Sequence, residues 1–292
     1  MPDCQSNKTG RTFHHQTDNR FARHGFVAFL DLLGYSQIAE KDNEANIASV
    51  IDAITRSAKE TKVRLAMQDY VDNNQPPLLF SGSIYTDVEY TFISDSIVLH
   101  RALSDDAEKY IREFPEDGKL QFALNAYWFI EYVRNVYSAL LRKKLPSRCG
   151  VTYGKFFWNR NQPTVMAGSA LITAHVLSES LEFTGVAIGE SITSRISDQL
   201  NKLNHVGIVG DITLQGARIP LKDKPKPDMD AIDPVSLKSD GTIVRPNLSR
   251  DEIGDIRQFI TSQFSSYDKN TVDPHVQRKL ENSIAVFRQL YP

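Results

Sequence analysis

The stretch from Leu120 to Leu141 constrains the fold more than any other part of this sequence. Its apolar and aromatic residues, Trp128, Phe129 and Tyr132 among them, fall on almost every side of a helix. A surface helix shows one apolar stripe, whereas a helix that is apolar nearly all round has to be buried. Asn125, Glu131, Arg134 and Asn135 interrupt the stretch, so it falls short of the ~18 uninterrupted apolar residues of a membrane span. The helix must therefore lie between layers of a globular core. With 292 residues the chain is long enough to build one without disulfide staples, and it allows one large domain or two small ones.

The elements around that helix alternate in type. Phe26-Val-Ala-Phe-Leu30 reads as a buried strand, followed by a Gly34/Ser36 turn and helical spacing over Gln37 to Glu40 and Ile47 to about Met67. In the latter, Ile47, Val50, Ile51, Ile54, Ala58 and Leu65 mark the apolar face. Val88 to Ile93 and Ile97 to His100 form a hairpin with Asp95 at its tip, and Ser104 to Lys119 is a charged connector. After the long helix, Arg148 to Gly154 reads as a strand, Thr164 to Ala167 as a short one, and Gly168-Ser169 as the cap of a helix with Ala170, Ala174, Leu177 and Leu181 on its apolar face. Gly185 to Ile188 is a strand, Ser191 to Leu203 a helix and Ile212 to Leu221 β-like. Two amphipathic helices, Asp251 to Phe264 and about Pro274 to Leu290, end the chain. This order predicts an α+β fold with helices on one face of the sheet.

Composition narrows the function classes. Lys plus Arg number 34 against 36 Asp plus Glu, a formal net charge of -2, which argues against a duplex nucleic-acid binder. Cys4 and Cys149 are the only cysteines, so a disulfide framework is excluded and a reducing compartment is expected. Residues 1–24 read as a polar leader without the apolar region of a signal peptide; the expected location is cytoplasmic, with no membrane partner. No zinc-ligand spacing, P-loop or nucleophile–His–acid arrangement is present.

Two acids remain conspicuous, each following an apolar stretch: Asp31 ends the first strand and Asp95 tips the hairpin. Paired strands would bring both carboxylates to one end of the sheet, a hard-oxygen site suited to Mg²⁺ or Mn²⁺ and phosphate oxygens. Aspartates also commonly cap turns, and the pattern by itself leaves both readings open.

Neighbouring residues add a resemblance. Phe29-Leu-Asp-Leu-Leu-Gly-Tyr-Ser36 resembles the first metal-aspartate motif of the class III nucleotidyl cyclases, and Thr91-Phe-Ile-Ser-Asp95 resembles their second. Arg148-Cys-Gly-Val-Thr-Tyr-Gly154 is similar to the family's R-x-G strand, and Gly168 to Glu179 is similar to its late helix. With Ile219-Pro-Leu-Lys-Asp-Lys-Pro225, these segments look most like the pyrimidine nucleotide cyclases of bacterial Pycsar anti-phage systems. The likeness covers about Phe26 to Lys222.

The resemblance implies a ferredoxin-like βαββαβ cyclase core over 25–222. Residues 223–292 would be a loop and helical extension packed on the same domain. It further implies a homodimer with active sites at the interface, and conversion of UTP, or CTP, to the 3′,5′-cyclic monophosphate and pyrophosphate. The product would act on a downstream effector in anti-phage defence. By the same match, Asp31, Asp95 and the Leu32 carbonyl would hold two divalent ions, Mn²⁺ or Mg²⁺, and the amides of Leu33, Gly34, Tyr35 and Ser36 would cradle phosphates. Thr91 stands where adenylate cyclases keep a base-reading lysine; its hydroxyl both donates and accepts, which leaves uridine and cytidine open. Ile172 and Val176 replace the usual Asn and Arg of the late helix, so another cation must meet the developing phosphate charge. Lys222 is the first choice, with Arg148, Lys155, His175 and Arg195 behind it; for Arg148 a structural salt bridge or carbonyl contact is the preferred reading. The alternative is a degenerate cyclase fold that binds nucleotide or dimerises without turnover.

Overall fold

A computed structural model of the chain describes residues 23–33, 48, 51–52, 55–56, 88–103, 113–159, 162–205, 214–218, 240–266 and 274–291. In chain order the strands are β1 (Arg23–Leu32), β2 (Glu89–Ile93), β3 (Ser96–Ala102), β4 (Ser147–Asn159), β5 (Gln162–Ala167), β6 (Gly185–Ile188), β7 (Leu214–Arg218) and β8 (Asp240–Val244). The helices are α1 (Pro115–Arg142), α2 (Ser169–Ser180), α3 (Glu190–His205), α4 (Arg250–Ser266) and α5 (Pro274–Leu290). The strands form one sheet in the order β2-β3-β1-β4-β6-β8-β7, with β5 pairing the far end of β4. Every neighbouring pair is antiparallel except β4 with β6. The fold is thus α+β with a mostly antiparallel sheet.

Helix α1 is the buried element that its composition demands. Ala123, Ala126, Phe129, Ile130, Val133, Val136 and Leu140 are almost fully enclosed, while Trp128 is only half-buried. On one side α1 meets the even-numbered residues of β1 (Phe26, Ala28, Leu30 and Leu32), and Ile256, Ile260, Val286 and Phe287 of α4 and α5 belong to the same core. Pro115 opens the helix, where its missing N–H is not needed by the backbone ladder; the expected charged connector therefore gives up its last residues to α1. Among the described residues, no helix is long and apolar enough to cross a membrane.

Helix α2 departs from the expectation of helices on one sheet face. The face that carries the odd-numbered residues of β1 and the even-numbered residues of β3 and β4 holds a second cluster, Val27, Val98, Ala102 and Phe156, which packs on Ala170 and Ala174 of α2. Small residues allow this close approach. A Cβ on Gly150 of β4 would lie 2.3 Å from the Ala174 carbonyl oxygen, so the helix rests almost on the strand backbone. Gly168, at φ 131°, is the cap residue at the start of α2 as expected, while Ser169 is already the first helical residue and no side-chain hydrogen bond caps that end.

Other boundaries shift modestly. Arg23 and His24 belong to β1 rather than to the polar leader. Ser96 joins β3, leaving Ser94 and Asp95 as a two-residue turn. Ala48, Ile51, Asp52, Thr55 and Arg56 are helical, but Ile51 is 40% exposed and so lies off the expected apolar face. Strand β8 was not anticipated; it pairs with β7 and β6 and extends the sheet.

Candidate functional site

Register across three strands assembles the site. Asp31, the penultimate residue of β1, is the partner of Ser96 on β3 and of Arg148 on β4, and Ser96 in turn pairs with Ile93 of β2. Because side chains alternate along a strand, this row projects on the α2 side of the sheet. The next row, Thr91, Val98, Phe29 and Gly150, projects on the same side. Thr91 is buried and shares its face with Asp31, two strands away.

The hairpin tip is held against β1. The Leu32 amide donates to the Asp95 carbonyl oxygen at 3.1 Å, which brings the two aspartates to one end of the sheet. Ser94 takes φ 57°, a left-handed conformation at the first position of a two-residue turn, where glycine is favoured. Such a residue costs about 1–3 kcal/mol and persists where its surroundings dictate the shape. Asp95 itself is exposed.

Arg148 organises the buried side of the site. Its Nε and Nη2 both lie on Asp31 Oδ2, at 2.6 and 2.5 Å, and its Nη1 donates to the Glu179 carbonyl oxygen in the last turn of α2 at 3.1 Å. The Ser178 hydroxyl donates to the Arg148 carbonyl oxygen. Both charged side chains are largely enclosed, 10% exposed for Arg148 and 18% for Asp31, and removing one partner of such a pair typically costs about 3–5 kcal/mol. The sequence reading of Arg148 as a salt bridge or carbonyl contact describes both of its interactions.

The other expected cations separate. His175 packs edge-on against Phe29, with ring centroids 4.7 Å apart, and its Nε2 is 3.8 Å from the Glu179 carboxylate; it borders the site. Lys155 pairs in register with His24, seven residues down the strand from Arg148, or about 23 Å at the usual rise. Arg195 lies over the rings of Phe122 and Tyr153, a side chain of the α1 core and its neighbour on β4. Neither belongs to the Asp31 cluster within one chain. Gly34, Tyr35, Ser36 and Lys222 lie outside the described residues.

Leu33 calls for a correction. Its amide donates to the Pro146 carbonyl oxygen at 2.9 Å, so that N–H is already engaged and is not free to cradle a phosphate. The cause is the end of β4: Pro146 lies just before Ser147, the partner of Leu32, and continues the pairing by one bond. That the carbonyl reached by Arg148 belongs to Glu179 has no signal in the sequence, since no residue type marks a main-chain oxygen.

The donor set fits a divalent ion of a particular kind. Among the described residues no three His, Cys, Asp or Glu side chains gather into a metal cage. Two carboxylates at one sheet end suit a hard cation that completes its shell with water and phosphate oxygens, as Mg²⁺ and Mn²⁺ do beside nucleotides. No protein-family model matches the chain, and no curated protein matches it significantly.

Proposed function

We propose that the chain is a pyrimidine nucleotide cyclase that converts UTP, or CTP, to the 3′,5′-cyclic monophosphate with release of pyrophosphate. The observation that carries the reading is the convergence of Asp31 and Asp95 at one sheet end, joined through the Leu32 amide and the Asp95 carbonyl. The arrangement of the first four strands, β2-β3-β1-β4 with antiparallel neighbours, is the one a ferredoxin-like βαββαβ core requires. That finer fold is part of the proposal.

In this reading Asp31, Asp95 and the Leu32 carbonyl hold Mn²⁺ or Mg²⁺, and the ions supply activation of the ribose 3′-hydroxyl and charge compensation at the leaving pyrophosphate. The O3′–Pα bond forms, the bond from Pα to the bridging oxygen of pyrophosphate breaks, and the hydroxyl proton passes to solvent. Thr91, on the same face as Asp31, contacts the pyrimidine edge. Gly34, Tyr35 and Ser36 provide the phosphate-facing amides, and Lys222 the cation for the transition state. The reading implies a cytoplasmic homodimer with interfacial sites, whose product activates a separate effector in anti-phage defence. Asp31→Asn and Asp95→Asn are each expected to lower pyrophosphate release from UTP or CTP by at least about a hundredfold. Turnover near the unsubstituted rate in both would overturn the assignment.

One observation favours the alternative of a nucleotide-binding module without turnover. Ile172 is 44% exposed on α2, where the related enzymes present a polar side chain. That reading expects thermal stabilisation by a nucleotide that is not consumed, and detectable pyrophosphate excludes it.

A further inference from the structure

We infer that Arg148 is a built-in counter-charge that competes with the divalent ion for Asp31 and so sets the ion concentration at which the site fills. The inference rests on the reading of Asp31 as a metal ligand, but it concerns the free protein before nucleotide arrives. Both guanidinium contacts fall on one carboxylate oxygen, Oδ2, rather than bridging the two oxygens as the strongest arginine–carboxylate pairs do. The third contact, from Nη1 to the Glu179 carbonyl, anchors the group to α2, and Ser178 holds the Arg148 backbone. The positive charge therefore cannot swing far from Asp31 while α2 keeps its place.

An ion approaching Asp31 meets this fixed charge at contact distance. In a site so little exposed to water, like charges a few ångströms apart repel strongly. The ion must share the carboxylate with the guanidinium or displace it from Oδ2. Arg148 is thus a positioning residue for the metal ligand, distinct from a merely structural arginine in one respect: its removal should strengthen ion binding even as it weakens the fold.

The test is Mn²⁺ titration of the full chain without nucleotide, with free Mn²⁺ counted by electron paramagnetic resonance. Arg148→Gln is expected to tighten Mn²⁺ binding by about tenfold, and Arg148→Lys, which keeps the charge on a more mobile stem, by less. Circular dichroism checks that each variant is folded, and the lysine variant decides if the glutamine variant does not fold. Folded variants that bind Mn²⁺ as the unsubstituted protein does, or more weakly, overturn the inference and leave Asp31 as a ligand. If Asp31→Asn binds Mn²⁺ unchanged, the metal-site reading falls and takes the inference with it. Absence of Mn²⁺ binding in every variant overturns the inference alone, since the nucleotide-loaded site is tested by turnover.

Discussion

Gly150 shows how a single residue positions the site from a distance. Its missing side chain lets α2 settle on β4, with the Ala174 carbonyl, Leu177 and Ser178 all inside the space a Cβ would need. The same helix presents the Glu179 carbonyl to Arg148, so the glycine fixes the partner of the residue that holds Asp31. Gly150→Ala must push α2 outward and is expected to cost about 1–3 kcal/mol in urea unfolding, the range for an overpacked core. An unchanged midpoint would contradict the close seat of the helix. At this scale the sequence was informative about acids and reticent about their partners. Asp31 and Asp95 stand out because each breaks an apolar stretch, and strand pairing then brings them together. Nothing in the residue pattern announces that the Leu33 amide is spent on Pro146 or which main-chain oxygen Arg148 reaches. Those contacts depend on where strands end and how a helix is seated.

Among the elements, α4 is the clearest case of a local signal with a tertiary use. Ser249 and Glu252 form a reciprocal cap: the Ser249 amide donates to the Glu252 carboxylate at 2.7 Å, and the Glu252 amide donates to the serine hydroxyl at 3.3 Å. Arg142, in the last turn of α1, adds its Nε to the same carboxylate at 2.7 Å, tying the C-terminal helices to the buried one. The Arg142 hydrogen bond, followed by that of Ser249, lowers the carboxyl pKa from its ordinary 4.5. A lowered native pKa favours the folded state above the unfolded value, and the benefit disappears as pH falls through the native one. Glu252→Ala is therefore expected to lose about 1 kcal/mol near neutral pH. In unfolding curves run across pH, the gap between the two proteins should shrink progressively below pH 4.5; a gap constant into strong acid would contradict the ionised cap. The existence of α1, α2, α4 and α5 was legible from apolar periodicity, and Gly185–Ile188 from its short apolar run. Strand β8, Asp-Gly-Thr-Ile-Val, was not: its identity comes from pairing with β6 and β7, and pairing across sequence distance leaves little local trace. The placement of α2 opposite α1 is likewise a consequence of small residues in facing elements, which periodicity along one helix does not reveal.

For the whole molecule, the buried α1 explains why one body accommodates most of the chain's elements. Residues from α4 and α5 belong to the same buried core as α1. The opposite face of the sheet carries α2 and the two adjacent rows, one with Thr91 and Phe29 and one with Asp31 and Arg148, around which the functional proposal is built. A chain of nearly balanced charge suits chemistry confined to the proposed local metal site better than binding to an extended polyanion. Mass spectrometry of the products formed from ATP, GTP, CTP and UTP in separate incubations with the purified protein and Mn²⁺ tests this proposal most directly. The account predicts a 3′,5′-cyclic pyrimidine monophosphate with an equal amount of pyrophosphate, and little from either purine. A purine cyclic nucleotide as the main product would contradict the base assignment, and no cyclic product from any of the four would contradict the central claim.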